Sequence, residues 1–140
     1  MGQNADFQVG ATLGAAALNA AINGPQAYDM LACFIGAPSA GQVLYRVVMV
    51  RAITFPAGLT GSWAYCANVP QGSVTLPIKL NGSQVGTINF AASTSPGTFT
   101  FGTTQVSAAG QLFEIDAPSV QDATFANISW SIVGSRPGGT

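Results

Sequence analysis

The sequence predicts an all-β fold: a jelly-roll-like β-sandwich of about eight strands, with an N-terminal arm in front of it. Three observations predict it. Apolar and polar residues alternate with a period of two in several segments. Gly and Pro interrupt the chain roughly every eight to twelve residues, the spacing of sandwich strands. No long 3.6-residue apolar periodicity survives those interruptions, so a helical reading fails. With 140 residues the chain is long enough for one core. Residues 1–26 read as the arm, 27–136 as the sandwich and 137–140 as a flexible tail.

The arm is rich in Ala, Gly and Asn, carries Phe7, Val9, Leu13, Leu18 and Ile22, and ends at Gly24-Pro25. Its Ala-rich stretch, 15–21, suits one or two helical turns. The same segment also reads as a loose leader, since termini order poorly unless tied down. The run 42–55 reads as one long strand, apolar on both faces and therefore covered on both faces. Val43, Tyr45, Val47, Met49, Ile53 and Phe55 share one side, Leu44, Val48, Val50 and Ala52 the other.

Next comes a hairpin. Val74, Leu76, Ile78 and Leu80 alternate with Ser73, Thr75, Pro77 and Lys79, and Asn81-Gly82 follows, a pair that tolerates positive φ. The loop is expected over 81–84, with the return strand from Val85 to Phe90. Pro77 lacks a ladder donor, which suggests an edge strand or a position facing solvent. Phe99 and Phe101 point inward from the next segment, and 111–117 forms a strand closed by Pro118. Cleanest is the last strand: Ala126, Ile128, Trp130 and Ile132 alternate with Asn127, Ser129, Ser131 and Val133. Trp130 therefore belongs to the core, whereas Trp63 and Tyr65, in a loop or short strand, suit either core or interface.

Charge is scarce. Only 6% of residues are charged and 48% are hydrophobic, against roughly 25% charged in an ordinary domain. A surface so poor in charge is covered by uncharged polar side chains, by a partner, or by both. The net charge of −1 comes from four scattered cations and five acids. That gives no basic patch for nucleic acid or for an anionic membrane. Residues 1–10 lack the basic start of a signal peptide, and the Ala-rich run is too short to span a bilayer.

Catalytic chemistry finds little footing. The chain has no histidine, which removes imidazole acid–base catalysis, triads built on it and the commonest metal ligand. Cys33 and Cys66 alone make no zinc site. They read as free thiols or as one bridge, and spacing does not decide between these. Glu114 and Asp116 share a strand face. With Asp122 they suit a solvated face and a turn, a calcium site on Asp116 and Asp122, or, least of all, a glycosidase pair. The expectation is a non-enzymatic protein with no cofactor and no resident metal.

Four segments in order carry a resemblance: RAITFPAGLTGS (51–62), IKLNGSQVGTINFAAS (78–93), GTFTF (97–101) and SAAGQLFEIDAPSVQDATFANISWSIVGSR (107–136). Together they resemble a β-sandwich module that recurs in virion proteins of tailed phages, departing from it at Ser93 and Gln111. In size and layout the chain is most similar to capsid cement (decoration) proteins of short-tailed phages such as those of Bordetella. The resemblance implies a structural protein made in the bacterial cytoplasm and placed on the outer surface of the capsid. There it would clamp neighbouring major capsid protein subunits and pair with itself as a homodimer. The interface residues expected for this are Phe7, Val9, Leu13, Leu18, Ile22, Trp63 and Tyr65. The alternative is a trimeric tail-fibre or receptor-binding component, with a glycan site at Trp63, Tyr65, Asp116 and Asp122.

Overall fold

The computed structural model describes residues 24–138, together with Gly14 and Ala15. Phe7, Val9, Leu13, Leu18 and Ile22 lie outside the described residues. The chain divides into two units, Ala27–Arg136 and a second made of Met1–Gln26 with Pro137–Thr140. The strands are β1 (Gln26–Ala27), β2 (Met30–Phe34), β3 (Val43–Val48), β4 (Thr54–Phe55), β5 (Trp63–Asn68), β6 (Val74–Leu80), β7 (Ser83–Phe90), β8 (Pro96–Thr100), β9 (Gln105–Val106), β10 (Leu112–Asp116), β11 (Ala126–Ile132) and β12 (Ser135–Arg136). The all-β expectation holds.

Eight strands form one sheet in the order β2-β11-β5-β8-β7-β6-β10-β3, and the short ones form a second in the order β1-β12-β4-β9. The large sheet curls until its edges β2 and β3 approach each other, giving a barrel-like sandwich. Across that seam Tyr45 of β3 meets Trp130 of β11 edge to face, ring centroids 5.9 Å apart. The alternation in β6 and β11 does what the sequence predicts. Val74, Leu76, Ile78 and Leu80 face the core with Ile128, Trp130 and Ile132, while Phe90 of β7, Phe113 of β10 and Phe125, just before β11, also fill it.

Three expectations need correction. The run 42–55 is not one strand. It breaks after Val48, and buried Met49 is held through Met49 N–H to Gln111 O (2.8 Å) and Gly110 N–H to Met49 O (2.7 Å). The chain turns there from one sheet to the other, so β3 and β4 share no sheet. As an edge strand, β3 leaves Val48 and neighbouring Val50 exposed rather than covered.

Second, the hairpin loop is Asn81-Gly82 alone and β7 starts at Ser83, opposite Leu80. Both residues have positive φ (52° and 86°), a two-residue turn whose twist matches the strands. A register shift follows, with Ile78 opposite Gly86 and Lys79 opposite Gln84, so Val85 is the bulged residue. That extra residue is why the alternation resumes only at Val85. Third, β6 is no edge, because β7 and β10 flank it. Pro77 is tolerated because the β10 ladder spans only Ile78 to Leu80 and stops one residue short of it.

Candidate adhesion face

The outward residues of the large sheet fall into three bands. The first crosses β2, β11 and β5. Inward residues of these strands (Met30, Ile128, Trp130, Ile132, Ala64, Cys66) are buried, so their alternates are forced outward. Register then builds two rows. Leu31, Ser131 and Trp63 lie side by side, and so do Cys33, Ser129 and Tyr65. Trp63 is 75% exposed, Leu31 68% and Tyr65 53%. Ile35, just past β2, is 76% exposed. A depression of ≈ 110 Å³ lies between the two aromatic residues, lined also by Ser129 and Ser131. None of the three strands carries a charged residue.

The second band crosses β8, β7 and β6 and is polar. Asn89 Oδ1 accepts from Thr75 Oγ1 (3.1 Å), and Asn89 Nδ2 donates to Thr87 Oγ1 (3.0 Å) and Thr100 Oγ1 (3.1 Å). These side chains satisfy one another.

The third band crosses β6, β10 and β3 and holds the charges. Glu114 sits opposite Arg46 on one side and Lys79 on the other. Arg46 Nε donates to Glu114 Oε2 at 2.6 Å, and Lys79 Nζ contacts Asp116 Oδ2 at 2.5 Å and Glu114 Oε1 at 3.9 Å. Asp116 is buried. These carboxylates are therefore not a solvated face. Each is neutralised by a cation from the neighbouring strand, a ladder of opposite charges across three strands. The Lys79 ammonium is held above its ordinary pKa, chiefly by its hydrogen bond to Asp116 and then by that residue's charge.

Asp122 belongs to a different arrangement. Its carboxylate accepts from Thr124 Oγ1 (2.7 Å), Thr124 N–H (3.0 Å), Gln71 N–H (2.8 Å) and Gly72 N–H (3.1 Å). The Thr124 hydroxyl first, then these amides, pull its pKa down to about 2. Asp116 and Asp122 thus serve separate partners, and neither lines the depression between Trp63 and Tyr65. No group of three or more His, Cys, Asp or Glu able to hold a metal ion occurs among the described residues.

Both cysteines are free. Cys33 faces outward from β2, opposite Ser129, while Cys66 is buried on β5, opposite inward-facing Ile128. Opposite faces of one sheet cannot be bridged. Burial pushes the Cys66 thiol above its usual pKa.

Of the expected interface residues, the structure brings Trp63 and Tyr65 together on one exposed strand face. Sequence reasoning misses Leu31, Cys33 and Ile35 beside them. The segment from Met30 to Ile35 is apolar at every position, so its alternation carries no polarity to read. No protein-family model matches the chain, and no curated protein matches it.

Proposed function

We propose that this chain is a structural virion protein, a cement (decoration) protein that binds the outer surface of a phage capsid and clamps neighbouring major capsid protein subunits. One observation carries the adhesive part of the reading: a charge-free outer face on β2, β11 and β5 that leaves Trp63, Leu31 and Tyr65 in water. Exposed aromatic and aliphatic side chains grouped on one face mark a protein contact. A charge content of 6% supports it, because a surface hidden against subunits needs few charges for solubility. The phage and capsid assignment rests on the resemblance of 51–136 to virion modules. A protein that binds only the assembled shell stabilises it by mass action and needs no chemistry of its own.

The test is at particle level. Phage heads prepared without this chain are mixed with it and heated. The chain is expected to sediment with the heads and to raise the temperature at which they release DNA. Heads that neither bind it nor gain heat resistance refute the assignment.

A second reading, a receptor-binding component that recognises glycans, is favoured by the depression between Trp63 and Tyr65 with its serine hydroxyls. Glycan arrays probed with the wild type and with Trp63→Ser decide it.

A further inference from the structure

We propose that the large sheet is split between β6 and the segment that follows β10, and that the split takes an extended, uncharged peptide strand of a partner protein. In the sheet, β8 and β7 separate β6 from β5, so the slot does not depend on the adhesive reading of the β2-β11-β5 face.

The hydrogen-bond parity of β6 points there. Asn81 N–H, at the end of β6, donates to Leu112 O at 2.7 Å. Along a strand, backbone groups turn to alternate sides. Odd-numbered residues of β6 therefore turn their N–H and C=O toward β10, and even-numbered residues turn theirs toward β7. Pairing with β7 runs the whole length of β6, from Val74 to Leu80. Pairing with β10 covers only Ile78 to Leu80. Continued, that register would set Pro77 opposite Asp116 and Thr75 opposite Pro118. Neither proline has an N–H to give. The chain after β10 follows its other neighbour instead: Ala117 N–H donates to Gln42 O (2.7 Å), and Pro118 O accepts from Gly41 N–H (2.9 Å). The N–H and C=O of Thr75 are left facing the gap, without a backbone partner among the described residues.

A depression of ≈ 270 Å³ lies in that gap, lined by Ser73, Val74, Thr75, Pro118, Ser119 and Val120. It shares Ser73, Val74 and Val120 with a second of ≈ 320 Å³ that reaches Gln71 and Asp122. Residues 71–75 thus border a groove of about 17 Å at most, the length of five extended residues. The far end is tied in place, because the Asp122 carboxylate accepts from Gln71 and Gly72 N–H and Thr124 Oγ1 donates to Val69 O (3.0 Å).

The occupant follows from the lining. An unpaired N–H and C=O on one strand residue match the backbone of another strand, which supplies both partners. Among the described residues that line the groove, Asp122 alone is charged. Its carboxylate already accepts four hydrogen bonds, so the walls favour a neutral segment. Val74 and Val120 offer it aliphatic contact. A saccharide would need a ring to stack on, and the lining contains no aromatic residue. Two backbone hydrogen bonds and a small apolar area give an affinity in roughly the millimolar range.

Amide exchange followed by NMR on the full isotope-labelled chain tests this. In the free protein, Thr75 is expected to exchange at least tenfold faster than Val74 and Leu76, whose amides pair with β7. The probe is acetyl-Thr-Val-Thr-Val-Thr-amide, added to about 10 mM. It is expected to shift the Thr75 and Val120 signals and to slow Thr75 exchange at least threefold. Val120→Arg, at an exposed position, weakens this binding at least fivefold while the melting temperature stays unchanged. The same peptide with every residue N-methylated keeps its side chains, loses its donors and leaves the spectrum unmoved. A Thr75 amide as protected as its neighbours overturns the proposal. So does a peptide that shifts nothing, or shifts the Trp63 indole instead. Equal binding of the N-methylated peptide, binding indifferent to Val120→Arg, or maltotriose shifting these signals where the peptide does not overturns it too.

Discussion

Replacing Gly86 by alanine sets one methyl group against the β7–β8 ladder. A Cβ at Gly86 would sit 2.6 Å from the Thr100 carbonyl oxygen and would overlap Cδ1 of Phe101. Ordinary contact begins near 3.4 Å, so the backbone must give by about 0.8 Å, several times the slack of a close-packed interior. Thr100 pairs with Thr87, one residue beyond Gly86, and Phe101 is buried. Neither side yields without loss. Overpacking of this kind costs about 1–3 kcal/mol, and a weakened ladder hydrogen bond adds about 1 kcal/mol. The stiffer unfolded chain returns about 0.4–1 kcal/mol. The net loss is about 1–3.6 kcal/mol, a fall in melting temperature of roughly 4–13 °C for a domain of this size. Gly72→Ala is the control, because its Cβ meets nothing within 4 Å. Urea unfolding followed by tryptophan emission measures both variants. Gly86→Ala within about 0.5 kcal/mol of the wild type would refute the close approach, as would an equal loss in Gly72→Ala.

Other outcomes follow from the charge and thiol positions. The Asp122 carboxylate has a depressed pKa, so its contribution is present above the unfolded value near 3.9 and is lost as pH falls toward about 2. The urea midpoint of Asp122→Ala should therefore lie below the wild type at pH 6 and converge with it near pH 2. Lys79 has a raised pKa, so its contribution is full below its unfolded value near 10.5 and fades as pH climbs through the folded value. Lys79→Met should lose this alkaline dependence and be less stable at pH 7, because Asp116 is left buried without its cation. A chain whose pH profile is unchanged by that substitution would count against the ion ladder. Thiol titration should find Cys33 reactive in the native protein, because its side chain is exposed. Cys66 should react only after denaturant is added. Trp130→Phe should leave an emission spectrum typical of an exposed indole, because Trp63 then remains as the single tryptophan, and a blue-shifted spectrum would contradict its exposure.

Much of the candidate face was only half legible. Trp63 and Tyr65 stood out as aromatic residues two apart, but whether they faced core or water depended on Ala64 and Cys66 being the buried set. The carboxylates on β10 misled for a related reason. Polar residues at alternate positions ordinarily mean solvent, yet Glu114 and Asp116 have Lys79 on one neighbouring strand and Arg46 on the other. Nothing in 111–117 reveals cations that reside at positions 46 and 79. The corner after Val48 was hidden as well, since Met49 and Ile53 keep the parity of an unbroken strand while the chain passes from one sheet to the next.

Alternation and turn chemistry are local, and they settled what is local: strands β6 and β11, the Asn81-Gly82 turn and the buried place of Trp130. Strand adjacency is not local. Leu31, Ser131 and Trp63 become neighbours only because a strand near the end of the chain inserts between two from its first half. A period of two states which side of its own strand a residue occupies. Which outward residues then share a surface follows from sheet order and register, set by how all the inward sides pack into one core.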